Sequence, residues 1–203
     1  MDDPMKHNAT TFYTRKILAE SLKKLIRRKS FSNITVREIT EDCGLNRNTF
    51  YYHFEDINDL LKWTLEQEAI DVVKHFDLMS DYEEAVRFVM NYIEENEKLL
   101  NNICNSLGQG ELKRFFFNDL YGITSSVIDK TIQQMELSIP SDYRDFLSRF
   151  YTEAFAGLLM DGITNPTLRN NDKNILYIFL VIRSSLPPLL SDYVAQQKAE
   201  KEE

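Results

Sequence analysis

Apolar residues recur three or four positions apart along most of the chain. This is the spacing of helices that bury one face. Pro140 and Pro166 fall between such segments, and Pro187-Pro188 interrupts the last of them. The pattern therefore predicts an all-α protein. The predicted helices are 11–29, two short ones within 35–54, then 56–76, 81–96, 99–107, 111–137, 142–163 and 172–186.

The segment from Thr35 to Phe54 is typical of two short helices joined by a tight turn. Thr35 and Glu38 have the spacing of a capping box, in which each side chain bonds the backbone N–H of the other residue. Gly44 stands where a helix often ends in a left-handed conformation, and Asn46 is a good N-cap for the second helix. An ordinary surface helical hairpin can show the same caps and the same apolar stripe.

The second short helix carries different chemistry on its different faces. Phe50 and Phe54 are four residues apart, so both belong to the face that we expect to be buried. Arginine can contact guanine and asparagine can contact adenine, whereas tyrosine and histidine donate to phosphates. The alternatives are that Tyr51 is half-buried and that His53 has a structural role, which is the commoner role of a lone histidine. The side chains predicted to face outward are Arg47, Asn48, Tyr51 and Tyr52.

This segment resembles the DNA-binding domain of the TetR family of bacterial transcription regulators. The resemblance covers about the first sixty residues. It implies that Thr35 lies near phosphate, that Arg47, Asn48 and Thr49 face bases, and that Tyr51, Tyr52 and His53 face the DNA backbone. Ile57 stands where the family usually has lysine, so one phosphate contact is expected to be lost. The matching residues are Thr35, Val36, Ile39, Gly44, Leu45, Thr49, Phe50, Tyr51, His53 and Phe54.

The charge distribution favours DNA binding although the chain as a whole is acidic, with a net charge of −8. From Phe12 to His53, nine Lys and Arg stand against four Asp and Glu, a surplus of five positive charges. The remaining residues together carry −13. A basic head on an acidic body directs the head toward DNA. The alternative interpretation of K-K-L-I-R-R-K is a solvated face near a helix C-terminus, where cations are favoured.

These observations predict a domain organisation. Residues 1–10 form a flexible arm, 11–55 a three-helix helix-turn-helix head, 56–190 an effector-sensing and dimerisation bundle, and 191–203 a tail. The last two long helices are apolar on more than one face, so we expect a second copy of the chain to cover them. A twofold homodimer would place two reading helices one turn of DNA apart, about 34–36 Å, on a near-palindromic operator.

The body is expected to sense an effector. By resemblance to the family, a pocket lies among the helices between 80 and 160, although dense aromatic residues more often form core. The run T-F-Y-Y-H-F-E-D-I-N-D-L-L-K-W is also similar to a branch of the family that includes activators of dihydroxyacetone kinase operons. Those activators pair with a separate ligand-sensing protein, which would make the body a protein docking surface. The candidate ligand-binding residues are Phe116, Tyr121, Met135, Tyr151, Phe155 and Met160.

Other function classes lack support in the sequence. No metalloprotease, phosphate-loop or serine-hydrolase motif is present, and the three histidines have no partners at metal-binding spacing. We therefore expect neither an enzyme nor a bound metal or cofactor. No apolar run is long enough for a membrane span, and two cysteines do not make a disulfide framework. Cys104 is more readily a buried small residue than a redox sensor. We expect a cytoplasmic protein associated with the nucleoid.

Overall fold

The computed structural model describes residues 4–77, 81–169 and 172–202. These residues form helices and contain no strand, which confirms the predicted all-α class. The helices are α1 Pro4–Ile26, α2 Val36–Cys43, α3 Arg47–His53, α4 Ile57–Leu65, α5 Asp71–Lys74, α6 Tyr82–Glu95, α7 Glu97–Leu107, α8 Gln109–Gln134, α9 Ser141–Thr164, α10 Pro166–Arg169 and α11 Asp172–Glu202. A 3-10 turn covers Phe31–Asn33 and a π-helical segment covers Glu66–Ile70.

The chain divides into two compact units. The head unit comprises Met1–Val72 and Asn96–Leu112, and the body unit comprises Val73–Glu95 and Lys113–Glu203. Helix α7 therefore packs with the N-terminal helices, although its Asn102 is 76 positions from its contact Ile26 of α1 in sequence. Each unit has its own hydrophobic core.

The core of the head unit is built from the predicted inner faces of its helices. Helix α1 begins at Pro4, earlier than the predicted start at residue 11, because proline is well tolerated in a first helical turn. The Ser21 hydroxyl is buried and donates to the Ile39 carbonyl at 2.9 Å, which ties α1 to α2. The fully buried apolar side chains of this unit include Leu18, Leu22, Ile26, Ile39, Phe50, Leu60, Leu61, Leu65 and Ile103.

The short helices end where their capping residues predict. Thr35 and Glu38 form the complete capping box of α2. Gly44 follows α2 with φ of 70°, a left-handed conformation that costs other residues about 1–2 kcal/mol. Asn46 caps α3 by accepting from the Thr49 N–H at 2.8 Å. These local interactions set the turn that presents α3.

Helix α4 runs into a π-helical segment that the apolar spacing does not predict. Over Glu66–Ile70 the backbone hydrogen bonds reach one residue further than in an α-helix. Within the segment, Glu68 accepts from the Lys23 ammonium of α1 at 2.6 Å. The segment is therefore held against α1 by an ion pair.

The core of the body unit joins α8, α9 and α11. The predicted end of the last helix at residue 186 is wrong, because α11 continues through Pro187 and Pro188 to Glu202. Leu186 and Leu190 flank the prolines and are fully or almost fully buried, so packing keeps this stretch helical despite the missing N–H donors. The buried cluster consists of Ile128, Leu147, Tyr151, Leu186 and Leu190.

The turn after α8 contains the one non-glycine residue with positive φ among the described residues. Glu136 has φ of 54°. The Leu137 N–H donates back to the Ile132 carbonyl at 3.1 Å, the bond that closes a Schellman-type helix end. A glycine usually occupies this left-handed position.

Candidate nucleic-acid interface

Helix α3 is anchored by its two phenylalanines. Phe50 is 0% exposed and Phe54 is 3% exposed, which confirms the predicted buried face. The ring of Phe54 packs edge-on against Trp63, with ring centres 5.9 Å apart. The Arg15 guanidinium lies over that ring, 5.4 Å from its centre, a favourable cation–π arrangement. The orientation of α3 in the head unit is therefore set by apolar and aromatic contacts.

The remaining faces of α3 point to solvent. Tyr51 is 58% exposed and Tyr52 is 71% exposed, so Tyr51 is not the half-buried residue of the alternative interpretation. Arg47 and Asn48 at the start of the helix are also exposed. An exposed helix start with arginine and asparagine, followed by two tyrosines, has the donors needed for base edges and phosphates. Contact of these residues with DNA stays a prediction.

The side chains of Thr49 and His53 are less exposed than those of Asn48, Tyr51 and Tyr52. Both are half-buried. The Thr49 hydroxyl donates to the Asn46 carboxamide oxygen at 3.1 Å and so reinforces the cap of α3. Burial, and secondarily the positive charge of Arg15, lower the pKa of His53. His53 is therefore neutral near pH 7, and any contact with phosphate would be a hydrogen bond without charge.

An open cleft lies between the start of α2 and the exposed side of α3. It brings together three residues of the predicted DNA-binding set, namely Thr35, Arg47 and Tyr51. Tyr52 and Asn48 are exposed on α3 outside the lining of this cleft. The cleft is lined by Asn33, Thr35, Val36, Arg37, Glu38, Arg47 and Tyr51.

The edge of the cleft at Thr35 is organised by Glu38. One carboxylate oxygen of Glu38 accepts from the Thr35 N–H at 3.0 Å and from the Thr35 hydroxyl at 2.8 Å. The other accepts from the Lys29 ammonium at 2.6 Å. The hydrogen bond from Lys29 and those from Thr35 lower the pKa of Glu38 to about 2. The carboxylate is therefore ionised at neutral pH, and Thr35 is held at the N-terminus of α2.

Several basic side chains of the head are already paired. Lys23 pairs with Glu20 and Glu68, Lys24 with Asp42, Lys29 with Glu38, and Arg37 with Glu41. In contrast, Arg27, Arg28 and Arg47 are exposed and form no salt bridge within the described part of the chain. These pairings were not predicted from the sequence, and they reduce the positive charge available to DNA. Arg47 is the free cation that lines the cleft.

The N-terminus of α4 lacks the lysine that the family usually has at this position. Ile57 is the first residue of α4 and is half-buried. Lys62, one turn further on, lies 3.5 Å from the Glu66 carboxylate. The expected loss of one phosphate contact is consistent with this geometry.

The six candidate ligand-binding residues lie on α8 and α9 and in the turn between them, and most are packed as core. Tyr151 is buried, and Phe155 and Met135 pack on the same apolar cluster. Phe116 and Met160 are buried as well. The Tyr121 hydroxyl donates to Asp145, while the Arg149 guanidinium lies 5.6 Å from the Tyr121 ring centre. The structure thus brings Met135, Tyr151 and Phe155 together, and a ligand-binding role stays a prediction for all six.

Neither a metal centre nor a membrane span is found in the described ranges. No group of three or more His, Cys, Asp or Glu in them could hold a metal ion. None of the helices searched there is long and apolar enough to cross a bilayer.

Two family models together match most of the chain. Residues 18–62 match the model described as "Bacterial regulatory proteins, tetR family". Residues 80–181 match the model described as "Transcriptional regulator C-terminal region". The first match contains α2, α3 and the cleft, and the second begins before α6 and ends within α11.

Individual relatives are distant but cover most of the chain. The HTH-type dhaKLM operon transcriptional activator DhaS of Lactococcus lactis subsp. lactis (strain IL1403) is 23% identical over 174 residues, 83% of this chain and 87% of that protein. An HTH-type transcriptional regulator of Staphylococcus aureus (strain USA300) is 22% identical and covers 68% of this chain and 92% of that one. A solved structure of dihydroxyacetone kinase operon activator DhaS superimposes with a TM-score of 0.63 at 19% identity, covering 83% of this chain and 94% of that chain.

Proposed function

The chain belongs to the TetR family of bacterial transcription regulators, and we propose that it binds a near-palindromic operator as a homodimer in the cytoplasm. It is a DNA-binding transcriptional regulator. The finer proposal concerns which residues read DNA, how two copies assemble and what controls them.

The single observation that carries the DNA-reading proposal is the two-sided build of α3. Phe50 and Phe54 are buried on one side, while Arg47, Asn48, Tyr51 and Tyr52 are exposed on the others. Arg47 and Asn48 at the helix start are proposed to contact base edges, and Tyr51 and Tyr52 to contact phosphates. Thr35 at the N-terminus of α2 is proposed to contact phosphate across the same cleft.

The dimer proposal rests on apolar residues that are exposed in the single chain. Phe146 is 59% exposed and Phe150 is 56% exposed, one turn apart on α9. Large apolar side chains that form a contiguous exposed stripe mark a protein contact surface. A second copy is the occupant that fits, because a twofold dimer supplies the second reading helix that a palindrome requires. Among the side chains of α9 and α11 whose exposure the structure describes, the other large apolar residues at the surface are Leu158, Tyr177, Leu180, Val181 and Leu189.

Control is proposed to act through the body unit. A small molecule bound among α8 and α9, or a partner protein docked on the body, would favour one DNA-binding state to the extent that it binds that state better. The second source of control has one specific support, the similarity to proteins named as operon activators. Thermal stability with candidate small molecules, compared with co-purification of a stoichiometric partner, separates the two.

Binding to the DNA upstream of the protein's own gene tests the proposal. We expect specific binding with two chains per site and a protected region of twofold symmetry. Arg47→Ala removes a base contact and should lower specific affinity by about 5- to 150-fold, as for the loss of about 1–3 kcal/mol. Gel shift at fixed salt, with footprinting to give the symmetry, provides the measurement.

Arg27→Ala serves as the matched control, because Arg27 is an exposed and unpaired cation of the head outside the cleft and off α3. It should change affinity far less than Arg47→Ala. If Arg47→Ala and Tyr51→Ala both bind like the unmodified protein, α3 is not the reading helix.

A further inference from the structure

The end of α1 lacks the usual means of satisfying its last carbonyl groups. A helix leaves its final four C=O groups without partners inside the helix, and a glycine after the last turn is the common solution. Here α1 ends at Ile26 and is followed by R-R-K-S-F-S-N, which contains no glycine. The N–H groups of Arg27, Arg28 and Lys29 donate to the carbonyls of Lys23 and Leu25, and none of them donates to the Ile26 carbonyl, which needs another donor.

A side chain of α7 supplies the donor for the Ile26 carbonyl. The Asn102 amide nitrogen donates to the Ile26 carbonyl at 2.7 Å and to the Lys29 carbonyl at 2.8 Å. Its oxygen accepts from the Phe31 N–H at 3.0 Å. Each N–H of the carboxamide thus has an acceptor and its oxygen has a donor, and all three bonds go to the backbone of one turn. A nearby contact between the Ser106 and Ser30 hydroxyls, at 3.0 Å, joins the same two segments.

The turn that Asn102 holds is connected to the cleft. Lys29, whose carbonyl binds Asn102, extends its ammonium group to the Asn33 carbonyl at 2.6 Å and to Glu38 at 2.6 Å. Glu38 in turn holds the backbone and hydroxyl of Thr35. Asn33, Thr35 and Glu38 all line the cleft. A continuous set of hydrogen bonds therefore leads from α7 to the N-terminus of α2.

We infer that Asn102 is a positioning residue for operator binding. From α7 it fixes the turn between α1 and α2 and, through Lys29 and Glu38, the N-terminus of α2 at the edge of the cleft. The inference rests on the proposed DNA contact at Thr35 and Arg47. It assigns a role in DNA binding to a residue outside the head predicted from sequence, in the region that matches the C-terminal family model.

Asn102→Ala tests the inference. Loss of the three bonds should release the turn and weaken specific operator binding by about tenfold, as for a loss of about 1.4 kcal/mol. The N-terminus of α2 carries a partial positive charge of about half a unit, so loss of its phosphate contact should lower the slope of log affinity against log salt by about 0.5. A mutation that only unfolds part of the sample lowers the active fraction and leaves that slope unchanged. Hydrogen exchange should increase in residues 27–35 in the absence of DNA.

Further variants keep the test decisive if Asn102→Ala folds poorly. Lys29→Met breaks the link to Glu38 without touching α7, and it should lower the salt slope by more than Lys24→Met, which removes the same charge from the ion pair with Asp42. In a double-mutant cycle, the effects of Asn102→Ala and Lys29→Met on operator affinity should be non-additive, since both substitutions interrupt the same set of hydrogen bonds. Asn105→Ala, at an exposed asparagine of the same helix, is the matched control and should leave affinity and slope unchanged.

The outcomes separate this inference from the proposed function. If the unmodified protein does not bind its upstream DNA specifically, the proposed function fails. If it binds, Asn102→Ala keeps its affinity and salt slope, and Lys29→Met lowers the slope no more than Lys24→Met, the positioning role is overturned. If Asn102→Ala lowers the slope while Asn105→Ala does not, and Lys29→Met lowers it by more than Lys24→Met, the positioning role is supported.

Discussion

At the scale of single residues, neighbours in sequence were predictable and distant partners were not. The spacing of Phe50 and Phe54 predicts their shared buried face, because residues four apart lie on one side of a helix. The ion pair of Lys23 with Glu68 joins residues 45 positions apart, and no local pattern indicates such a contact. The charge counted along the sequence therefore overestimates the number of cations free to meet DNA.

Glu136 offers a direct test of backbone conformation at one residue. Its φ of 54° is unfavourable for a side chain with Cβ and suits glycine. We expect Glu136→Gly to raise the free energy of unfolding by about 1 kcal/mol, since relief of the left-handed strain exceeds the entropy that glycine adds to the unfolded chain. Urea unfolding followed by circular dichroism measures this change.

Gln133→Gly is the matched control, because Gln133 is exposed and lies within the last turn of α8. There glycine should lower stability by about 1 kcal/mol. A loss of stability in both variants would contradict the left-handed conformation at residue 136.

At the scale of helices, capping signals predicted ends well and packing decided the rest. The capping box at Thr35 and the N-cap at Asn46 appear where the sequence places them, since each needs only residues three apart. The continuation of α11 through Pro187-Pro188 was not predicted from the sequence. The two prolines lack N–H donors, which is visible in the sequence, whereas the packing of Leu186 and Leu190 that keeps this stretch helical depends on the folded structure. The π-helical segment was missed for the same reason.

Replacement of the exposed proline of α11 tests that continuation. Pro188→Ala restores an N–H donor inside a continuous helix, so we expect the free energy of unfolding to rise by about 1–3 kcal/mol. Thermal and urea unfolding, monitored by far-ultraviolet circular dichroism, give the change in stability and in helix content.

Ser191→Ala provides the comparison, because Ser191 is exposed on the same helix three residues later. Its effect should stay within about 0.5 kcal/mol. A stability of Pro188→Ala equal to or below that of the unmodified protein would argue that α11 is broken at the prolines.

At the scale of the whole molecule, the fold class and family followed from the sequence, whereas the composition of the two units did not. A helix-turn-helix motif and helical spacing suffice to predict an all-α regulator. That α7 packs with the N-terminal helices depends on contacts such as Asn102 with Ile26, between residues 76 positions apart. The candidate ligand-binding residues could not be resolved from core, because aromatic residues at helical spacing serve both purposes.

The proposed dimer predicts a change of assembly. Phe150→Glu places a charge in the apolar face of α9, and burial of that charge would be strongly unfavourable. We expect a monomer at micromolar concentration by sedimentation velocity. Operator affinity should fall by at least about 100-fold, because one reading helix then binds alone.

Tyr13→Glu is the matched control, since Tyr13 is an aromatic residue exposed on α1 of the head unit. It introduces the same charge and should leave the sedimentation coefficient unchanged. A Phe150→Glu protein that remains dimeric would mean that the exposed face of α9 is not the contact between copies.

The discontinuous head unit constrains how regulators of this kind can be recombined. A chimaera that grafts residues 1–72 onto a foreign sensory module would leave the amide of Asn102 behind, with the Ile26 and Lys29 carbonyls and the Phe31 N–H lacking their partner. A functional chimaera must therefore keep residues 96–112 together with residues 1–72 from the same protein, so exchange of the body unit needs three junctions. A new effector specificity is better engineered by substitutions within the existing body unit than by exchange of the whole body unit at a single chain junction.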